Sequence, residues 1–372
     1  MRRNGICRGL VALLLAVGCR DAPMAPGAPG AAGGIDSAPV RIDLSTAWVR
    51  ANPSEVGMSP TGLESATNAA AAIPRFRSLL VARHGRLVAE SYFGGADSTT
   101  LFDVRSVTKS IVCALTGIAL RDGVLPGVAA PIARYLAPPH TLDAADSAVT
   151  VQNLLTMTTG YQWDEETGPD YSLWIAADDH VQYLLDRAHA APPGATFTYN
   201  SAAAHTLGVV LQDAAAMPLP RYAAPLFAAL GVDAVAWEPL DRGTVNGGAG
   251  IALRARDLLK LGQLFLQRGW SGNGSVVPEG WVDEATRPQF TWRRVFGPQS
   301  RVTYGMLWWV SDATPAAFFA YGYGGQFVYV VPSRDLVVVA ITDWTALSET
   351  TPQALTAAAL GVIVDDVVPA AP

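Results

Sequence analysis

Apolar residues at helical spacing dominate most of the chain, and short β-rich runs dominate its last part. The pair Ser59-Pro60 predicts the start of a helix that continues through an Ala-rich stretch to Ile73, because serine caps helices and proline fits the first helical position. Two apolar runs, 79–82 and 87–92, flank the turn Arg83-His84-Gly85-Arg86 and predict a β-hairpin.

The middle of the chain predicts further helices. One starts at Ser106 and ends near Asp122-Gly123, where the glycine can serve as a C-terminal cap. Another starts at Thr150, and three more are expected over residues 180–187, 202–215 and 256–267. These helices predict one inserted all-helical lobe at about residues 123–300.

Short β-rich runs follow residue 300 and are separated by turns, at 304–310, 318–321, 327–331 and 336–341. An Ala-rich helix is expected at about 352–363. Strands at both ends of the chain, with helices between them, predict an α+β fold. We therefore expect an antiparallel sheet built from both termini, with flanking helices and the inserted helical lobe.

The first forty-five residues have the pattern of an export and anchoring segment. Met1-Arg2-Arg3 and the apolar run 10–17 predict a secretory signal over residues 1–18, since this run is too short for a permanent bilayer span. The sequence Ala16-Val17-Gly18-Cys19 is similar to the lipobox of bacterial lipoproteins, so Cys19 is the expected lipidation site; ordinary signal cleavage nearby is the alternative.

Residues 19–45 are rich in Ala, Pro and Gly and predict a flexible tether, which leaves 46–372 as the folded domain. We expect an exported protein, periplasmic or at the surface of a bacterial cell, that contacts a membrane through its lipid anchor only. The net charge of −6 and the absence of a basic cluster past Arg8 argue against nucleic acid as a partner.

The remaining composition excludes other classes of site. No His-Glu-x-x-His motif or cysteine pair occurs, so we expect neither a metal nor another cofactor. The domain holds a single cysteine, Cys113, which cannot form an internal disulfide and is expected to be a small buried apolar group. A chain of 372 residues, half of them apolar, can bury a large core without disulfides.

Ser106 and Lys109 are the most informative pair in the chain. Residues three apart share one face of a helix, and a serine hydroxyl becomes a good nucleophile only when a neighbouring base takes its proton. Lysine can be that base if burial lowers its pKa, and the apolar run 111–115 would supply the burial. The chain has two lysines among 26 basic residues, and arginine could not replace lysine here, because it does not deprotonate. A structural lysine on a packed helix is the alternative.

Two further segments carry candidate chemistry. Tyr199 follows a turn and opens a helix, where it could move protons, and a neighbouring lysine ammonium would favour its phenolate; packing is the alternative. The glycines after Gly322 could let the backbone amide of Gln326 join that of Ser106 in an oxyanion hole, and a plain turn between two strands is the alternative.

Four motifs in order along the chain resemble the serine β-lactamase and penicillin-binding-protein superfamily: Ser106-Val-Thr-Lys109, Leu154-Leu-Thr-Met-Thr-Thr-Gly160, Tyr199-Asn-Ser201 and Tyr323-Gly-Gly325. The resemblance covers about residues 56–363 and points to the class C-like branch, with its esterases, D-amino-acid peptidases and aminohexanoate-dimer hydrolases. It implies that Ser106 is the acylated nucleophile, Lys109 its base and Tyr199 the proton shuttle. It also implies an antiparallel sheet joined to a helical lobe.

The motifs and the loop after Gly160 provide the expected substrate contacts: Ser201, Tyr323, Gly324, Gly325, and an aromatic wall of Trp163, Tyr171 and Trp174. Tyr323 stands where β-lactamases carry a cation that meets the substrate carboxylate. We therefore expect a serine hydrolase for small esters or amides. Activity on β-lactams or D-Ala-D-Ala and related D-peptides is one alternative, and a catalytically silent binding module is another. A Ser-His-Asp hydrolase is disfavoured, because no Gly-x-Ser-x-Gly motif occurs.

Overall fold

A computed structural model describes residues 39–136, 138–272, 274–345 and 350–372. Its helices are α1 (Pro60–Ala72), α2 (Val107–Arg121), α3 (Ala133–Leu136), α4 (Val151–Leu155), α5 (Asp170–Ile175), α6 (His180–Leu185), α7 (Ser201–Ala215), α8 (Leu219–Ala229), α9 (Ala255–Leu266), α10 (Glu279–Ala285) and α11 (Pro352–Gly361), which continues as a π-helical segment at Val362–Val367.

The strands are β1 (Phe76–Arg83), β2 (Arg86–Tyr92), β3 (Phe102–Asp103), β4 (Ala236–Trp237), β5 (Ile251–Leu253), β6 (Trp270–Ser271), β7 (Gly274–Ser275), β8 (Arg294–Phe296), β9 (Gln299–Tyr304), β10 (Trp309–Ser311), β11 (Ala317–Gly322), β12 (Gln326–Val331) and β13 (Leu336–Thr342). The large sheet has eight antiparallel strands in the order β2-β1-β13-β12-β11-β10-β9-β8. It joins the two ends of the domain, because β1 pairs with β13. The predicted α+β fold is confirmed.

Helices cover both faces of this sheet, which explains why β12 and β13 are apolar at nearly every position. On one face α9 packs so closely that a Cβ at Gly262 would lie 2.4 Å from Val337 Cγ1 and 2.8 Å from Val328 Cγ1. On the other face Tyr321, which pairs with Phe327, hydrogen-bonds to Thr356 of α11 over 3.1 Å. Side chains alternate between the two faces of a strand, so these contacts place α9 and α11 on opposite faces.

Helix α2 is buried on every side from Val107 to Ala119. Its mostly apolar sequence explains this position, because only a helix surrounded by other elements can bury its whole circumference. Cys113 is a free buried thiol, as expected, and its carbonyl accepts a hydrogen bond from Trp281 Nε1 over 3.0 Å. This central helix begins directly after Ser106 and carries Lys109 in its first turn.

Two parts of the chain differ here from the sequence prediction. The run 304–310 is not one strand but the turn between β9 and β10, where Leu307 has a φ of 56° and Gly305 N bonds to Trp308 O. The lobe at about 123–300 is not all-helical, since β5 pairs with β3 and β8 joins the edge of the large sheet. Apolar periodicity could not show these short strands, because two or three residues are too few to establish a period.

The tether also ends earlier than residue 45. Leu44 is buried, and the backbone N–H groups of Val40, Ile42 and Leu44 donate to Asp335, Gln267 and Ser271. The expected signal over residues 1–18 and the lipidation site Cys19 lie outside the described residues. Among the residues that the structure describes, no helix is long and apolar enough to cross a membrane.

Candidate active site

Ser106 lies at the start of α2, directly after a residue with unusual backbone geometry. Arg105 has a φ of 49°, a left-handed conformation that an L-residue adopts at a cost. Thr108 Oγ1 donates to Arg105 O over 2.6 Å, and Arg105 N donates to Asp103 Oδ1 over 2.9 Å, so hydrogen bonds on both sides hold this turn. Ser106 is partly exposed at the end of the buried helix, where a substrate could reach its hydroxyl.

Lys109 is buried beside that hydroxyl, with 1% of its surface exposed. Its Nζ atom lies 2.8 Å from Ser106 Oγ, 2.8 Å from Ser201 Oγ and 2.6 Å from Gly248 O. The pKa of Lys109 is lowered to about 7; burial is the main cause, the charge of Glu165 raises the pKa in part, and that of Arg105 adds to the lowering. The amine can therefore accept a proton near neutral pH, which an ordinary lysine cannot do.

The carbonyl of Gly248 reaches Lys109 because the chain there is built from glycine. A Cβ at Gly248 would lie 2.3 Å from Ser201 O, and one at Gly247 would lie 3.1 Å from Ala204 O. Only glycine allows the loop to pass this close to the first turn of α7. Asn246 Oδ1 holds the loop by accepting from Gly248 N and Ala249 N, each over 3.0 Å.

Tyr199 also lies beside Lys109, just before Asn200, which caps the start of α7. Lys109 Nζ is 4.9 Å from the centre of the Tyr199 ring, and the ring stacks on Trp309 at 5.8 Å. Burial raises the pKa of Tyr199 well above its ordinary value; Tyr304 and Glu165 raise it further, while a hydrogen bond with Ser106 opposes them. The expectation of a favoured phenolate is therefore wrong, because burial of the phenol is the largest effect on its pKa.

Glu165 is a member of this cluster that sequence reasoning missed. Its Oε1 accepts from Ser201 Oγ over 2.6 Å, and its Oε2 accepts from Ser201 N over 2.6 Å and from Trp163 Nε1 over 2.8 Å. The loop after Gly160 thus brings a carboxylate to the hydroxyl of Ser201, which in turn contacts the buried lysine. Nothing in the sequence of a loop indicates that its glutamate will contact a residue as distant as Ser201.

The glycine turn lies against the chain segment that leads into Ser106. Gly322 approaches the chain just before Ser106 so closely that a Cβ there would lie 2.2 Å from Val104 O. Gly324 and Gly325 have φ values of 81° and 108° in the turn between β11 and β12, and Tyr323 is 46% exposed. The side chain of Gln326 is fixed by Thr342, to whose Oγ1 its Nε2 donates over 3.0 Å.

The expected aromatic wall needs a correction. Trp174 is fully buried and its Nε1 donates to His180 O over 3.0 Å, so it belongs to the core of the lobe. Trp163 is 6% exposed and its indole N–H is taken by Glu165. Tyr171 alone of the three lies beside the nucleophile, since its hydroxyl accepts from Arg105 Nη2 over 2.9 Å. Aromatic residues in an apolar chain are usually packed inside, and two of the three are.

Other aromatic residues and a cation border the cluster instead. Trp309 stacks on Tyr199, and Tyr304 packs against both rings. The guanidinium of Arg105 lies 4.5 Å over the ring of Trp344, which in turn contacts Tyr323. A positive charge thus lies directly before the nucleophile, although none stands at Tyr323.

Two other groups of ionisable residues have structural explanations. Lys260 is buried but donates to Leu230 O over 2.8 Å, and it lines a cavity of about 230 Å³ together with Gly85 and most of residues 42–49. Ligand atoms of Asp143, Asp146 and His189 lie within 4.8 Å of one another, the one such grouping in the described part of the chain. Asp146 already accepts from Tyr161 over 2.7 Å and from Asp143 N over 2.9 Å.

Comparison with known proteins agrees with this geometry. The sequence model of the family described as Beta-lactamase matches residues 71–362. The chain belongs to the Beta-lactamase family. A 6-aminohexanoate-dimer hydrolase of Paenarthrobacter ureafaciens is 24% identical to it over an alignment of 289 residues that covers 72% of this chain and 72% of that protein.

Solved structures show the same β-lactamase fold. A putative 6-aminohexanoate-dimer hydrolase from Bacillus anthracis has a TM-score of 0.69 at 18% identity and covers 89% of each chain. EstCE1, a hydrolase with promiscuous acyltransferase activity, has a TM-score of 0.66 at 20% identity and covers 81% of this chain and 99% of its own. The family resemblance of the sequence motifs is confirmed, and at this level the chain is a hydrolase of the β-lactamase fold.

Proposed function

We propose that this β-lactamase-fold protein is a serine hydrolase that cleaves small esters or amides through an acyl-enzyme on Ser106. One observation carries the proposal: a buried amine with a pKa of about 7 lies 2.8 Å from the hydroxyl of Ser106. A purely structural lysine needs no hydroxyl beside its amine, and Lys260, the other lysine of the chain, donates to the carbonyl of Leu230. A silent binding module has no use for this arrangement.

In the acylation step, the neutral amine of Lys109 takes the proton of Ser106 as its Oγ attacks the substrate carbonyl. Backbone N–H groups of Ser106 and Gln326 are the proposed donors to the resulting oxyanion. The neutral phenol of Tyr199 then gives its proton to the leaving alcohol or amine, and the proton on Lys109 restores the phenol. This sequence leaves an ester on Ser106 and returns both bases to their starting states.

Deacylation uses the same groups in reverse order. Water attacks the ester carbonyl while its proton passes through Tyr199 to Lys109, and Lys109 then protonates Ser106 Oγ as the acid product leaves. The raised pKa of Tyr199 fits a phenol that stays neutral between transfers. Ser201, Tyr171 and the turn Tyr323-Gly324-Gly325 are the proposed boundaries of the substrate site.

The substrate class follows from the charges near Ser106. No cation stands at Tyr323, which favours esters or amides with an uncharged acyl portion, and known relatives include proteins described as an aminohexanoate-dimer hydrolase and as EstCE1, a hydrolase. A second candidate is hydrolysis of a β-lactam or a D-peptide with a free carboxylate. It is favoured by Arg105, whose guanidinium precedes the nucleophile and keeps one buried nitrogen, Nε, without a hydrogen-bond partner.

The test compares the full-length protein in detergent with its Ser106→Ala variant. Stoichiometric labelling by a fluorophosphonate that is lost in the variant would support an activated serine, whereas absence of labelling would contradict the proposal. Turnover of p-nitrophenyl butyrate with little turnover of nitrocefin would favour the ester or amide class. Faster turnover of nitrocefin would favour the second candidate.

We also propose that the protein is an exported lipoprotein anchored through Cys19, on the basis of residues 1–19. The test is expression in a bacterium with an alkyne-labelled fatty acid. Wild-type protein should incorporate the label and sediment with membranes, and Cys19→Ala should do neither. Label-free wild-type protein in the soluble fraction would contradict the proposal.

A further inference from the structure

The hydroxyl of Ser201 lies between the buried lysine and a carboxylate. Its Oγ is 2.8 Å from Lys109 Nζ and 2.6 Å from Glu165 Oε1, and Ser201 is 1% exposed. A hydroxyl has a single proton, and an ionised carboxylate can only accept. Ser201 therefore donates to Glu165 and must accept its hydrogen bond from Lys109.

This assignment fixes the orientation of the amine. The carbonyl of Gly248, 2.6 Å from Nζ, can also only accept a proton. A neutral amine has two N–H groups and one lone pair, so Ser201 and Gly248 take both N–H groups. The lone pair is then left for the third neighbour, which is Ser106 Oγ at 2.8 Å.

We propose that Glu165 is a positioning residue that directs the lone pair of Lys109 toward Ser106 by holding the proton of Ser201. The inference rests on the proposed serine-hydrolase function and adds a residue to it. Without the carboxylate, the Ser201 hydroxyl is free to rotate and donate to Lys109. The amine would then turn its lone pair to Ser201 and present an N–H to the nucleophile, which cannot accept the serine proton.

Glu165 is itself held in one orientation. Three donors occupy its two oxygens: the hydroxyl and backbone N–H of Ser201, and the indole N–H of Trp163. The buried ring of Trp163 anchors the carboxylate to the lobe. A glutamine at this position has one acceptor oxygen in place of two, so at least one of the three donors would face an N–H group.

The charged and titratable groups around Lys109 come from several elements. Glu165 raises its pKa, Arg105 lowers it, and burial is the largest effect. The phenol of Tyr199 faces Nζ across its ring and stays neutral because its own pKa is raised. Removal of the Glu165 charge should therefore lower the pKa of Lys109 further, whereas loss of a merely structural contact would leave that pKa unchanged.

The experiment measures the rate of fluorophosphonate acylation from pH 5 to 9 in the full-length protein, with Glu165→Gln as the variant. We expect the plateau rate to fall about 10- to 100-fold, the effect of one hydrogen bond to a charged group. The midpoint of the rising limb should also move to lower pH, because Lys109 loses a neighbouring negative charge. Glu166→Gln is the matched control, since it removes the same charge from the adjacent, exposed residue and should leave both values near wild type.

Ser201→Ala tests the route of the effect. It removes the hydroxyl that links the two residues but keeps the charge of Glu165, so the rate should fall while the midpoint moves less than in Glu165→Gln. In the Ser201→Ala background, Glu165→Gln should lower the rate by less than threefold. Thermal unfolding of each variant shows whether it is folded, and the midpoint is independent of how much active protein remains.

Two results would overturn the inference while leaving the proposed function intact. One is a Glu165→Gln variant that reacts at the wild-type rate with an unchanged midpoint. The other is a rate loss that persists in full in the Ser201→Ala background, which would make Glu165 a support of the loop alone. If the wild-type protein itself shows no acylation that depends on Ser106, the proposed function fails first.

Discussion

Replacing Lys109 by arginine separates the positive charge of this side chain from its ability to accept a proton. At a pKa of about 7, half of the molecules carry a neutral amine at pH 7, whereas a lysine at the ordinary value of 10.5 would be neutral in about one molecule in three thousand. Arginine remains protonated at every usable pH. It keeps the cation and can still donate to Gly248 O, but it offers no lone pair to Ser106.

We expect Lys109→Arg to lower the rate of fluorophosphonate acylation at pH 7 by at least ~10³-fold, within the range of a lost general base. Wild-type protein should gain about tenfold in rate per pH unit below pH 7 and level off above it, because the neutral fraction of Lys109 follows this curve. The matched control is Lys260→Arg, which changes the other lysine of the chain, whose Nζ atom donates to the carbonyl of Leu230.

The reasoning would be refuted by an arginine variant that reacts within tenfold of wild type. It would equally be refuted by a wild-type profile that stays flat between pH 6 and 8, since the base would then not be a group with this pKa. A slow Lys260→Arg control would show only that substitution of a buried lysine disturbs the fold. Thermal unfolding of all three proteins separates that case from loss of the base.

Three further expectations can be checked with the same proteins and assays. Tyr199→Phe should lower ester turnover at least ~10²-fold with an unchanged unfolding temperature, and normal turnover would place the proton transfer elsewhere. Gly248→Ala puts a Cβ 2.3 Å from Ser201 O, so the loop must move by about 1 Å and lose its contact with Lys109. The acylation rate and the unfolding temperature should both fall. The control is Gly280→Ala, where the added Cβ meets nothing within 4 Å and both values should stay near wild type. Between pH 8 and 9 the unfolded chain binds a proton that native Lys109 does not. The free energy of unfolding of wild type relative to Lys109→Met should therefore rise by about 1.4 kcal/mol per pH unit in denaturant titrations, and a flat difference would contradict the lowered pKa.

The sequence predicted the long elements of the fold because their patterns extend over many residues. The apolar run of α2 and the β-rich runs of β11 to β13 are each long enough to show a period or a sustained β propensity. The turn at Leu307 was missed, because the apolar residues on both sides of it read as one strand. Strands of two or three residues, such as β3 and β5, owe their existence to pairing with each other and leave no local pattern.

The candidate site was predictable to the extent that its chemistry depends on spacing within one helix. Ser106 and Lys109 are three residues apart, so helix geometry alone brings them together. Gly248 contacts the same lysine directly and Glu165 acts on it through Ser201, both from distant loops, and no local pattern marks either one. Trp163 and Trp174 were wrongly expected to line the cleft, because the sequence does not distinguish an aromatic residue that faces a cleft from one that packs in the core.

The choice of lysine at position 109 is explained by its partners as well as by its burial. Lys260 is nearly as buried, with 7% of its surface exposed, and burial lowers its pKa as well. Its Nζ atom, however, donates to the carbonyl of Leu230, which has no proton to give. Lys109 differs because one of its three neighbours is a partly exposed hydroxyl and the other two accept its N–H groups. In the proposed arrangement every neighbour of Lys109 except the nucleophile accepts an N–H group, and a structure can show such partners whereas a sequence cannot.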